Sequence, residues 1–166
     1  RADGFAAIQG DEIYFTGACP DLAGIAIIAE HARQAAAMKP FVTSNLSALL
    51  PEAAHFADVA SGLIAVTMGT DTPTVLLWFR AEKLQTVKWA GNPHKDDDYR
   101  PGEALTPRAS FEAWSESVRG RSADWSIAET ESAGRIARLM LEMRNNWRMR
   151  QLNTELAATL RENESL

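Results

Sequence analysis

The sequence has little cysteine: one residue, Cys19, in 166. A single thiol excludes an internal disulfide framework, and a reducing setting, the cytoplasm, is expected. No apolar run is long enough to cross a bilayer, and no apolar leader core follows Arg1-Ala2-Asp3-Gly4. Positive charge is short as well. Against 22 Asp and Glu stand 17 Lys and Arg, a formal net charge of -5, which argues against the basic face of a nucleic-acid binder. Also missing are a glycine-rich phosphate loop, a His-Glu-x-x-His pair, a Gly-x-Ser-x-Gly elbow and a Cys-x-x-Cys pair. With no convergent acid, base and nucleophile to assemble, an enzyme is the least favoured class, and neither a catalytic nor a metal site is expected.

What is present is ordinary globular composition, 46% hydrophobic and 23% charged, enough for one domain with a sizeable core. Residues 5–15 read as a hairpin turning at Gln9-Gly10-Asp11-Glu12. Pro20-Asp21 opens a helical stretch over 22–38, in which Ile25, Ile28, Ala29, Ala32 and Ala36 recur at helical spacing. Lys39-Pro40 ends it. Residues 41–43 suit a short strand. Ser44 or Asn45 suits a cap for a helix over 46–56 that Pro51 interrupts or restarts. Residues 62–68 and 74–79 are apolar, partly β-branched runs around a turn, hence adjacent antiparallel strands. Residues 86–89 suit another strand. The order β-β-α-β-α-β-β-β implies an α+β fold, a mainly antiparallel sheet with helices on one face, as in PAS and GAF sensor modules.

Residues 92–106 break the pattern. They are polar, charged and turn-rich, and a loop of that length in a compact domain is usually functional or disordered. From Ser126 onward the pattern is helical. Ser126 and Glu129 form a capping box in sequence. Ile136, Met140, Met143 and Trp147 follow a 4-3-4 spacing, and Leu152, Leu156 and Leu160 continue an apolar stripe after a phase shift near Arg150. A helix this long is expected to pack its first half on the sheet and to pair its last turns with a partner helix. The lack of an initiator Met and the end inside this helix suit a segment of a longer protein.

His31 reads as a polar boundary residue, His55 as packing beside a short helix, and His94, beside Asp96-Asp97-Asp98, as solvated loop charge rather than a calcium site. Cys19 reads as an unreactive turn residue rather than a thioether anchor. Four of the five tryptophans fall within 78–125. A buried core accounts for Trp78 but poorly for Trp114, which follows the polar stretch and suits a contact surface.

Pro107-Arg108-Ala109-Ser110-Phe111 is similar to the Pro-Arg-x-Ser-Phe motif of the phytochrome tongue, and Trp114-Ser115-Glu116 to the Trp-x-Glu motif that follows it. Leu77-Trp78-Phe79-Arg80 and Thr86-Val87-Lys88-Trp89-Ala90-Gly91 resemble that family's strand and its approach to the tongue, and residues 46–62 add to the likeness. In order and spacing, nearly the whole chain resembles the PHY domain of a bacterial phytochrome.

That resemblance implies a GAF/PAS-like antiparallel sheet flanked by helices, with a protruding tongue hairpin and a long C-terminal helix. It implies a core over 1–125 that includes the tongue at about 82–118, and an output or connector helix over 126–166. The tongue would cover the bilin pocket of a neighbouring GAF domain. Arg108 would pair with a GAF aspartate in the dark, and Ser110 would take that aspartate over after photoconversion. Trp89, Gly91, Pro107, Phe111, Trp114 and Glu116 complete the signalling set. The chain itself would hold no cofactor, the bilin (biliverdin) sitting in the GAF domain. Its partners would be that domain, an output domain such as a histidine kinase, and a second copy through the C-terminal helix. Residues 111–118 fit the two tongue states, hairpin and partly helical: helical spacing groups Phe111, Trp114 and Val118, while strand alternation separates Phe111 from the other two. Two further readings stay open, a GAF-like domain binding its own small ligand and a purely structural dimerisation module.

Overall fold

The computed structural model describes residues 1–37, 39–69, 72–83 and 119–165. Two strands, β1 (Gly4–Gln9) and β2 (Glu12–Gly17), form the expected hairpin. Gly10, at φ 58°, supplies the left-handed residue that so tight a connection needs. Helix α1 (Leu22–Ala35) starts where Asp21 accepts a hydrogen bond from the Gly24 N–H at 2.7 Å. It closes at Ala35, short of the 38 expected from spacing. Strand β3 (Phe41–Thr43) follows.

The helix expected over 46–56 is three pieces: α2 (Leu46–Leu49), a 3-10 turn (Pro51–Phe56) and α3 (Ala57–Ala60). Pro51 has no N–H to continue α2, so it opens the next turn instead. Asn45 sits at the N-cap of α2 but makes no side-chain cap bond. Strands β4 (Gly62–Met68) and β5 (Thr74–Arg80) run antiparallel, as read from sequence. The last element is α4 (Ile127–Glu164), with the capping box between Ser126 and Glu129 formed as expected. The strand expected over 86–89 and the polar stretch 92–106 lie outside the described residues.

The sheet order is β2-β1-β5-β4-β3, with every neighbouring pair antiparallel. The fold is α+β, as expected, but its helices do not share one face of the sheet. Ala6, Ile8, Leu63, Ala65, Val75, Leu77 and Phe79 meet Ile25, Ile28, Ala29 and Ala32 of α1 on one side. Phe5, Ala7, Val66, Met68, Leu76 and Trp78 meet Ala137, Met140 and Leu141 of α4 on the other. The runs Gly62–Met68 and Thr74–Arg80 already hinted at this. They are apolar without alternation, the pattern of strands covered on both faces.

The seam of α4 also differs from the predicted stripe. Ala133, Ala137, Met140 and Leu141 turn to the sheet, whereas Ile136, Met143 and Trp147 stay exposed. The small side chains of Ala133 and Ala137 let the helix axis approach the sheet closely, which larger residues on that line would prevent.

Candidate functional site

All eight residues that the sequence singles out, Trp89, Gly91, Pro107, Arg108, Ser110, Phe111, Trp114 and Glu116, lie outside the described residues. The structure does describe the base from which that segment departs, residues 80–83, and to which it returns, residues 119–126. These two stretches are joined to each other and to three other parts of the fold.

Lys83 donates its N–H to the Arg121 carbonyl at 2.7 Å, and Gly120 donates its N–H to the Glu82 carboxylate at 2.7 Å. Gly120 adopts φ 69°, a conformation that favours glycine. On the exit side, the Ala81 N–H reaches the Asp3 carboxylate at 2.9 Å and the Glu82 N–H reaches the Ala57 carbonyl at 3.2 Å. On the return side, the Ser122 N–H reaches the Ser44 carbonyl at 2.8 Å, and the Trp125 indole N–H reaches the Thr43 carbonyl at 3.1 Å. Room for the returning chain comes from Gly62, which pairs with Arg80 across the sheet. A methyl group at Gly62 would collide with the Ser122 hydroxyl.

Arg80 is the centre of this junction. It ends β5 on the α4 side of the sheet, in step with Leu76 and Trp78. Its guanidinium uses all five donors. Nε and Nη2 each bond the Arg1 carbonyl, at 3.1 and 3.0 Å. Nη1 bonds the Ala123 and Asp124 carbonyls at 3.2 and 2.9 Å, and Nη2 also bonds the Glu129 carboxylate at 2.5 Å. The guanidinium lies 3.9 Å from the Trp125 ring centroid, a cation–π stack. One buried side chain therefore holds the end of β5, the returning chain and the first turn of α4.

The electrostatics follow. The Glu129 carboxyl is lowered from 4.5 to about 2 by the α-amino group of Arg1, the Ser126 N–H and the Arg80 cation. At neutral pH it is a carboxylate that both caps α4 and answers Arg80. Cys19 behaves otherwise. Burial pushes its thiol up, and Sγ sits 3.4 Å from the Phe5 carbonyl and 3.3 Å from that of Thr16. A thiol kept neutral against two carbonyls is a poor nucleophile and does not suit a covalent cofactor anchor.

His31 packs edge-on to Phe41 at the edge of the core, and His55 is exposed beside Phe56; His94 lies outside the described residues. Among the described residues, no three His, Cys, Asp or Glu side chains group to hold a metal ion, and no helix is long and apolar enough to cross a membrane. An open cleft of about 560 Å³ lies between α4 and the turn after β4, lined by Gly69, Thr72, Leu141, Arg144 and Trp147 among others.

Sequence reading missed Arg80, Glu129 as its partner, and Arg144. The available signal was one of parity. An arginine closing an apolar strand, in step with inward residues, is buried only if something polar waits there. Nothing local to β5 names a partner 49 positions away.

A sequence profile described as PHY, phytochrome region, matches residues 1–148. Its end falls one turn past Arg144, where α4 parts from the sheet. Over 168 residues the chain is 36% identical to a bacteriophytochrome of Xanthomonas campestris pv. campestris, covering 96% of this chain and 26% of that protein. Over 160 residues it is 34% identical to cyanobacterial phytochrome B of Nostoc sp., covering 94% of this chain and 21% of that one. The crystal structure of bacteriophytochrome RpBphP3 from R. palustris superposes with a TM-score of 0.61 at 32% identity, over 85% of this chain and 28% of that one. The chain thus spans about a quarter of the length of such relatives.

Proposed function

The chain belongs to the phytochrome family as its phytochrome region, and from that premise we propose that it relays a light signal rather than absorbing the light or catalysing a reaction. On this reading, residues 82–118 form the tongue and lie over a bilin, biliverdin, held by a GAF domain elsewhere in the parent protein. Arg108 and Ser110 exchange on one GAF aspartate, and Trp89, Gly91, Pro107, Phe111, Trp114 and Glu116 shape the surface around it. An arginine suits such a partner because its fork bonds both carboxylate oxygens. The core over 1–125 receives the change. The helix over 126–166 carries it to an output domain, a histidine kinase in a two-component pathway of the cytoplasm, and pairs with a second copy.

The junction at Arg80 is the observation that carries this reading. Both ends of the motif-bearing segment are hydrogen-bonded to each other, and both meet the first turn of α4 through one guanidinium. A change in that segment therefore has a short mechanical route to α4. The rival reading, a ligand pocket under α1, gains no support from the packing there: Ile25, Ile28, Leu63, Leu77 and Phe79 are all fully buried against one another.

The test uses the parent receptor with Cys19→Ser and a pair of cysteines introduced across 84–118. Oxidising the pair should leave bilin absorption in place and abolish the difference in autophosphorylation between dark and light. A light response that persists with the cross-link formed refutes the relay.

A further inference from the structure

We propose that α4 is clamped to β5 at both ends of the strand, by Glu129 on Arg80 and by Arg144 on Thr74, so that residues 129–144 move with β5 as one body and cannot slide along it. Thr74 and Arg80 are the first and last residues of β5. At the far end from Arg80, Arg144 Nη1 donates to the Thr74 hydroxyl at 3.2 Å and to the Thr72 carbonyl at 3.4 Å. Its guanidinium also lies over Gly69, where any side chain would meet it; at φ 87°, Gly69 suits glycine twice over.

The lengths agree. Six steps of extended strand at about 3.4 Å cover roughly 20 Å, and fifteen steps of helix at about 1.5 Å cover roughly 22 Å. The helix runs antiparallel to the strand, and Ala137, Met140, Leu76 and Trp78 fill the space between the two attachments. Apolar packing alone tolerates sliding by a turn, because ridges and grooves repeat. Two polar attachments of fixed spacing do not, since any shift breaks both at once. The clamp is thus a conformational device of the fold, and it holds whether or not the chain relays light.

Amide hydrogen exchange on the 166-residue chain tests it. Two conservative variants remove one acceptor each: Glu129→Gln, which keeps the capping geometry, and Thr74→Val, which keeps the volume. Glu129→Gln should speed exchange in residues 127–133 about tenfold, the worth of one charged hydrogen bond, with α1, on the other face of the sheet, unchanged. Thr74→Val should do so by a smaller factor near residue 144. The double variant should expose 129–144 together, by more than the product of the single effects. Two results overturn the proposal: exchange in α4 that neither variant alters, or exchange that rises by one common factor through sheet and helix, which reports global destabilisation alone. Arg80→Gln and Arg144→Gln repeat the comparison from the donor side.

Discussion

Lysine at position 80 would bring three donors on a point charge to a site where five acceptor contacts and the face of Trp125 wait for a flat fork. Its partner Glu129 gives the junction a pH dependence whose sign is fixed. The folded carboxyl sits at about 2 against a usual 4.5. A depressed value stabilises the fold fully above the unfolded value, and that contribution disappears as pH falls from about 4.5 to about 2. Thermal melts through this window should show the wild-type chain losing stability more steeply than Glu129→Gln, with the two converging at its acid end. Parallel curves would mean that Glu129 titrates alike in both states.

The elements differ in how plainly the sequence announces them. The β1–β2 hairpin, β4, β5 and the start of α4 depend on local signals: a glycine turn, apolar β-branched runs, and a serine three residues before a glutamate. The pieces between Leu46 and Ala60 were blurred because short helices take their limits from packing, here from Pro51 and from Leu46 and Ala53 in the core. The stripe of α4 was misassigned for a related reason. Spacing finds every apolar line on a helix, and this helix has more than one. Alanines 133 and 137 form the inner seam, while bulkier residues remain outside. Past Asn145 nearly every side chain is exposed, Leu152, Leu156 and Leu160 among them at 53 to 58%. On the proposed pairing with a second copy, these leucines form its contact. A chain ending at Arg150 should then sediment as a monomer at concentrations where the full chain self-associates, with its melting temperature little changed. Self-association surviving the truncation would place the contact elsewhere.

At the scale of the molecule, the antiparallel sheet and the long terminal helix were legible, and the helical layer on the second face was not. That layer depends on where residue 127 returns after a departure at residue 83, which no window of sequence contains. The site proposed in residues 89–116 is legible only by its likeness to a family, whereas the Arg80 junction emerges only when residues 1, 80, 124 and 129 are brought together. Helix α4 continues unbroken from Ile127 to Glu164. Beyond Arg144 the helix behaves as a dial whose zero is set by the clamp. Each residue inserted after Arg150 turns everything beyond it by about 100°, and seven bring it back to within about 20° of its starting bearing. In a receptor that uses this chain as its relay, output should rise and fall with insert length on a cycle near seven residues. A response indifferent to the count would mean that the helix transmits presence but no angle.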